Sequence, residues 1–111
     1  MKKSSETNSV DVERIFRALA DETRLAMVRV LADSKDLCVC EVMDSLGVSE
    51  TRASRNLGLL WDAGLLLGER RGRWMYYSLD RSRSLKPLLS FVRGHVPAIA
   101  LCPDSRKKRK C

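Results

Sequence analysis

The sequence predicts a mainly α fold with one small β-hairpin, arranged as a winged helix-turn-helix. Three observations carry that expectation. Between 41 and 63, two helical segments are separated by the break Gly47-Val48-Ser49. Beyond Gly64, two strand-like runs, 65–70 and 74–79, flank the basic tip Arg71-Gly72-Arg73. On either side, 11–32 and 85–93 carry apolar residues at helical spacing. A short helix, a tight turn, a second helix and a basic hairpin form a unit suited to reading DNA.

Taken in order, 1–9 reads as a polar, disordered arm. Residues 11–20 read as a helix, with Val12, Ile15, Phe16 and Leu19 on one stripe. Asp21 is placed to cap the next helix, 22–32, whose Leu25, Val28 and Leu31 face inward. Leu37-Cys38-Val39-Cys40 then leads into a helix at 41–46, stopped by Gly47 in a left-handed C-cap. Ser49 is the expected N-cap of 50–63, and Gly64 closes that helix. Ser84 is placed to cap the last helix, 85–93, where Pro87 falls in the first turn and costs no helical hydrogen bond. The domain spans 10–95, and 96–111 is a tail with a basic run and two cysteines. The first and last helices have little to bury against in a monomer. They are expected to pack across a two-fold axis as a homodimer, matching a palindromic operator.

Composition agrees with a nucleic-acid partner. The 111-residue chain carries a net charge of +7. Five basic residues against one Asp lie beyond Cys102, so the body is only mildly basic. Such a surface suits double-stranded DNA, and the tail adds nonspecific phosphate attraction or solubility. No run is long and apolar enough for a membrane span, and the N-terminus lacks a secretion signal's apolar core. A cytoplasmic location follows as an expectation, with thiols kept reduced.

The helix at 50–63 divides into two faces. Ala53, Leu57 and Leu60 form the buried stripe. Ser49, Glu50, Thr51, Arg52, Ser54, Arg55 and Asn56 lie on the remaining surface near its start. Arg suits guanine, Asn suits adenine, and Ser and Thr suit either. Arg71 and Arg73 at the hairpin tip are the expected phosphate contacts. A plain solvated helix face is the alternative, which the basic hairpin disfavours.

Cys38 and Cys40 carry the chemistry. Two thiolates one residue apart favour soft, thiophilic ions. Within a regular helix, positions i and i+2 are about 200° apart around the axis. One ion can join both sulfurs only if the segment is extended or its first turn unwound. Packing as two small buried apolar residues is the alternative. Cys102, beside the folded body, is a candidate third thiolate, and Cys111 a weaker one. The lone His95 forms no His-based cluster.

With these residues in view, the chain resembles the arsenic-repressor (ArsR/SmtB) family of bacterial metalloregulators. Leu19-Ala20-Asp21-Glu22-Thr23-Arg24-Leu25 is similar to that family's approach to its second helix. Leu37-Cys38-Val39-Cys40-Glu41-Val42 resembles the signature of its arsenic- and cadmium-sensing branches. Ser49 to Leu60 and Gly64 to Tyr77 resemble its recognition helix and wing. The resemblance implies a homodimeric repressor that leaves its operator when arsenite or antimonite binds Cys38 and Cys40. It departs from the pattern at Met43, where a third Cys is common, so ligation would be completed by a small ligand or by Cys102. The arm lacks the cysteines of the cadmium/lead branch, and 85–93 lacks the His and acidic ligands of the zinc site. Gly58 and Trp61 replace commonly basic residues.

Other functions compete with arsenite sensing. A thiol redox or reactive-sulfur sensor would use the same cysteines on the same fold, as would a Cd, Pb or Zn sensor. A small thiol enzyme such as an arsenate reductase is disfavoured. Cys38 has no Cys-x-x-Cys partner, phosphate-cradling loop or nearby His. No enzymatic activity is therefore expected. A ligand-independent DNA-binding protein would hold its operator regardless of metalloid.

Overall fold

The computed structural model describes residues 9–81 and 85–98. The elements run α1 (Ser9–Leu19), α2 (Glu22–Ala32), β1 (Leu37–Cys38), α3 (Val39–Leu46), α4 (Glu50–Asp62), β2 (Leu66–Arg71), β3 (Trp74–Leu79) and α5 (Lys86–His95). Most of the expected arm, the Ser84 cap, Cys102, Cys111 and the basic run lie outside the described residues. Ser9, taken as the arm's end, already belongs to α1.

α2 is the centre of the fold. Met27, Val28, Val30, Leu31 and Ala32 are all buried, so the helix is covered around most of its circumference. It packs against α1, α3, α4, α5 and β3. Arg29 lies among these apolar residues. Its Nε donates to the Val96 carbonyl at 2.9 Å, and its Nη1 meets Asp33 at 2.5 Å. Those partners meet the requirement that a buried cation be paired. The expected Asp21 cap forms, accepting from the Arg24 N–H at 3.1 Å.

The stops are where the glycines predict them. Gly47 ends α3 at φ 67°, and its N–H donates to the Met43 carbonyl at 2.7 Å. Gly72 turns the hairpin at φ 65°. Arg71 pairs with Trp74 across that turn, so Arg71 is the last strand residue and the tip is Gly72-Arg73 alone.

The ribbon is not two-stranded, as the sequence suggested. β1 pairs antiparallel with β3, Leu37 opposite Tyr77 and Cys38 opposite Tyr76, giving a three-stranded sheet in the order β1-β3-β2. A two-residue strand is too short to show alternation. Trp61 from α4 lies over the sheet, edge-on to Tyr77 at 5.8 Å. A Cβ built on Gly68 would fall 2.8 Å from the Trp61 ring and 2.9 Å from the Met75 Cε, so a side chain there would force both of those side chains to shift. Trp61, which departs from the family pattern, thus serves packing.

Along α1, Ile15 and Leu19 are buried, whereas Val12 is exposed and Phe16 is 58% exposed. Phe91 on α5 is 62% exposed. No described helix is long and apolar enough to cross a membrane.

Candidate nucleic-acid interface and thiol site

The turn between α3 and α4 presents the start of α4. Ser49 caps it, its hydroxyl accepting from the Arg52 N–H at 3.1 Å. Ser49, Glu50, Thr51, Arg52, Ser54 and Arg55 are exposed. A depression of about 420 Å³ beside them is bordered by Arg24, Thr51, Arg52, Arg55, Asn56 and Leu59.

Asn56 leaves the exposed set. It is 8% exposed, and its amide is engaged internally. Its Nδ2 donates to the Arg52 carbonyl at 2.9 Å, and its Oδ1 accepts from Arg24 Nη1 at 2.8 Å. Arg24 Nε also donates to the Ala18 carbonyl at 2.6 Å. One guanidinium therefore joins the end of α1, the start of α2 and the middle of α4. Arg52 Nη2 donates to Thr23 Oγ1 at 2.9 Å, a second tie between α4 and α2. Arg55 makes no hydrogen bond or ion pair among the described residues, so its donors are available to a base edge. Arg24 and Thr23 belong to this site although their side chains gave no sequence signal beyond the family-like stretch.

On the wing, Arg73 is exposed and has no hydrogen-bond or ion-pair partner among the described residues. Arg71 differs from expectation. Its Nη2 donates to Asp36 at 2.5 Å and Glu69 at 2.9 Å, and its guanidinium sits 4.4 Å from the Tyr76 ring centre. Those bonds, Glu69 first and then Asp36, raise its pKa above the ordinary arginine value.

The cysteines meet at the junction of β1 and α3. Cys38 is the N-cap of α3, with extended φ −86° and ψ 167°, while Cys40 lies in the first helical turn. Their sulfurs are 2.9 Å apart. The 200° argument holds between two helical residues, but an N-cap residue has not entered the helix. The mixed geometry brings the two sulfurs together without unwinding α3, Cys38 as a free thiol and Cys40 as a disulfide-bonded residue. Glu41 completes a capping box: its carboxylate accepts from the Cys38 N–H at 3.0 Å, and the Cys38 sulfur accepts from the Glu41 N–H.

Cys38 is a free, fully buried thiol. Burial pushes its pKa up, and the Glu41 charge adds to that. The N–H groups of Glu41 and Cys40 oppose the rise without cancelling it. Ligation must therefore displace a proton. The two sulfurs fit a thiophilic ion once Cys40 is reduced to a thiol, although no group of three or more His, Cys, Asp or Glu side chains is suitably clustered among the described residues.

Residues 21–66 match the model of bacterial regulatory proteins of the arsR family. The chain is also 32% identical over 78 residues to an HTH-type transcriptional regulator of Methanocaldococcus jannaschii, covering 70% of this chain and 86% of that one. The chain belongs to the ArsR family. This ArsR-family chain is 44% identical over 67 residues to the arsenical resistance operon repressor of Escherichia coli, covering 60% of its own length and 57% of that relative. It thus spans little more than half of that repressor. Among solved structures, it is similar to HlyU from Vibrio cholerae, with TM-score 0.72 and 25% identity over 82% of this chain and 97% of that one. It is also similar to the homodimeric winged helix-turn-helix DNA-binding domain Mb0332 of Mycobacterium bovis. There the TM-score is 0.68 and the identity 26%, over 87% and 94% of the two chains.

Proposed function

We propose that this ArsR-family chain is a homodimeric, cytoplasmic transcriptional repressor that releases operator DNA when arsenite or antimonite binds Cys38 and Cys40. The observation that carries the reading is the 2.9 Å approach of two buried sulfurs at the start of α3. That point touches both parts of the reading head. α3 leads through Gly47 into α4, and β1 is hydrogen-bonded to the central strand of the wing. The name of the Escherichia coli relative supports an arsenical inducer. The exposed Val12, Phe16 and Phe91, with the homodimeric Mycobacterium bovis domain, support pairing through α1 and α5.

On DNA, Thr51, Ser54 and Arg55 would face base edges while Arg73 meets phosphate. Arg52 is a phosphate contact steadied by Thr23. Release follows from occupancy at the thiols. With Cys40 reduced by a cellular thiol, arsenite as As(OH)3 joins both sulfurs, each S–As bond replacing one S–H and one As–OH with loss of one water, and loads β1 and the first turn of α3 together. No melting of α3 is required, because the two sulfurs already converge. Cys102 remains the candidate for completing the ligand shell.

The test is a gel-shift titration of the full chain with arsenite, cadmium and zinc, on a duplex that the protein selects from a random pool. Arsenite should release the wild type. Cys38→Ser and Cys40→Ser should bind the duplex with normal affinity and stay bound. Normal release of either variant by arsenite would remove that thiol from the sensor. The same sulfur proximity favours a second reading, reversible thiol oxidation. Mass spectrometry of peroxide-treated protein separates the two, since an oxidation sensor would form a defined, reducible cysteine linkage.

A further inference from the structure

The three wing arginines are not equivalent. Arg70 and Arg73 are exposed and make no ion pair among the described residues. Arg71 is held by Asp36, Glu69 and the Tyr76 ring. Asp36 directly precedes β1, two residues before Cys38. Tyr76 is the β3 residue opposite Cys38. These contacts close a ring. Cys38 meets Tyr76 through the strand pairing, the Tyr76 ring meets Arg71, Arg71 meets Asp36, and the chain returns from Asp36 to Cys38.

We propose that Asp36, through its grip on Arg71, is a positioning residue that carries ligand occupancy at Cys38 and Cys40 to the wing. This rests on the reading of those cysteines as the inducer site. β1 has only two residues, so its pairing with β3 is a short ladder. The Asp36–Arg71 bond adds a second attachment, on the neighbouring strand and nearer the hairpin turn. A shift of Cys38 on ligation moves Asp36 with it, and Asp36 draws Arg71 and the tip. Without the bond, a movement of β1 reaches β3 only through the ladder. An exposed Arg–Asp pair contributes little to stability. Its effect therefore belongs in the coupling between ligand and DNA rather than in folding.

The test uses the full chain, arsenite as the probe and a duplex selected from a random pool. Fluorescence anisotropy gives the duplex Kd without arsenite and with saturating arsenite, and their ratio is the coupling factor. Asp36→Asn should keep the ligand-free Kd within about twofold and leave arsenite affinity of the DNA-free protein unchanged. It should reduce the coupling factor by about two- to fivefold, the range of an exposed ion pair. Asp36→Glu, which keeps the carboxylate, should restore most of it. Arg71→Gln should lower the factor at least as much, since it also loses Glu69 and the Tyr76 ring, and the double variant should go no further than Arg71→Gln alone, because the Asp36–Arg71 ion pair is broken in all three.

A purely structural role would instead lower the unfolding midpoint and shift both affinities together. That result, or a wild-type coupling factor in Asp36→Asn, would overturn the proposal. So would single effects that multiply in the double variant. Cys38→Ser is measured alongside. If it still releases with arsenite, the inducer-site reading has failed. If it does not, and Asp36→Asn couples normally, only the tether has failed.

Discussion

The two parts of the reading head are attached to the body by different means. α4 is anchored from inside: Leu57 and Leu60 are buried, and Asn56 ties it to Arg24. The wing beyond Gly68 is anchored from outside, by Arg71 on Asp36 and by a two-residue strand. Buried, fully satisfied polar contacts fix one geometry. Exposed ion pairs are weak and readily exchanged. The comparison teaches that a winged helix-turn-helix can hold its second helix rigid while leaving its wing adjustable.

Removing the inner anchor should have the largest effect. Asn56→Ala strands the buried end of the Arg24 network and should cost about 1–3 kcal/mol of stability, read by chemical denaturation. Operator binding should weaken as well, because α4 loses its tie to α2. If stability is unchanged, α4 is not held from inside as described.

On the outer face of the same helix, Arg55→Ala should leave folding alone. It should cost about 1–3 kcal/mol of binding and relax specificity at one position, if Arg55 reaches a base. Binding to a pool of single-base operator variants would show this. A uniform loss across that pool would make Arg55 a phosphate contact instead.

Changes at the wing should be smaller. Gly72→Ala forces a side chain into φ 65°, which costs about 1 kcal/mol locally. Nothing stands within 4 Å of the added Cβ, so the cost is conformational and not steric. Smallest is Arg73→Ala, which should weaken all sequences alike and flatten the log–log salt slope by about 0.9, one phosphate's worth. Base-specific loss at Arg73 would reverse the division between helix and wing.

Much of this was legible in the sequence. Periodicity and caps place α2 and β3 at their observed bounds, and α4 within one residue, because long periodic runs and Ser or Asp caps are local signals. Other features depend on distant partners. Asn56 sits in a polar run and looks exposed, yet the residue that buries it is Arg24, thirty-two positions earlier. Arg71 looks like a free cation, but its partner Asp36 lies thirty-five positions away. For the sulfurs, the sequence left two routes open, an extended segment or an unwound first turn; Cys38 is extended, while α3 begins at Val39 rather than at Glu41, so the choice rested on a helix boundary.

The order β1-β3-β2 leaves β2 as an outer strand with no described strand beyond it. An open edge invites a strand from another molecule. Here the exposed end of that edge reads Glu69-Arg70-Arg71, three consecutive charges. Backbone pairing between two such edges would bring ionised side chains into close register and strip their water. These charges therefore guard against aggregation. Anyone neutralising the wing to weaken operator binding should expect a protein that precipitates more readily, for reasons unrelated to its operator.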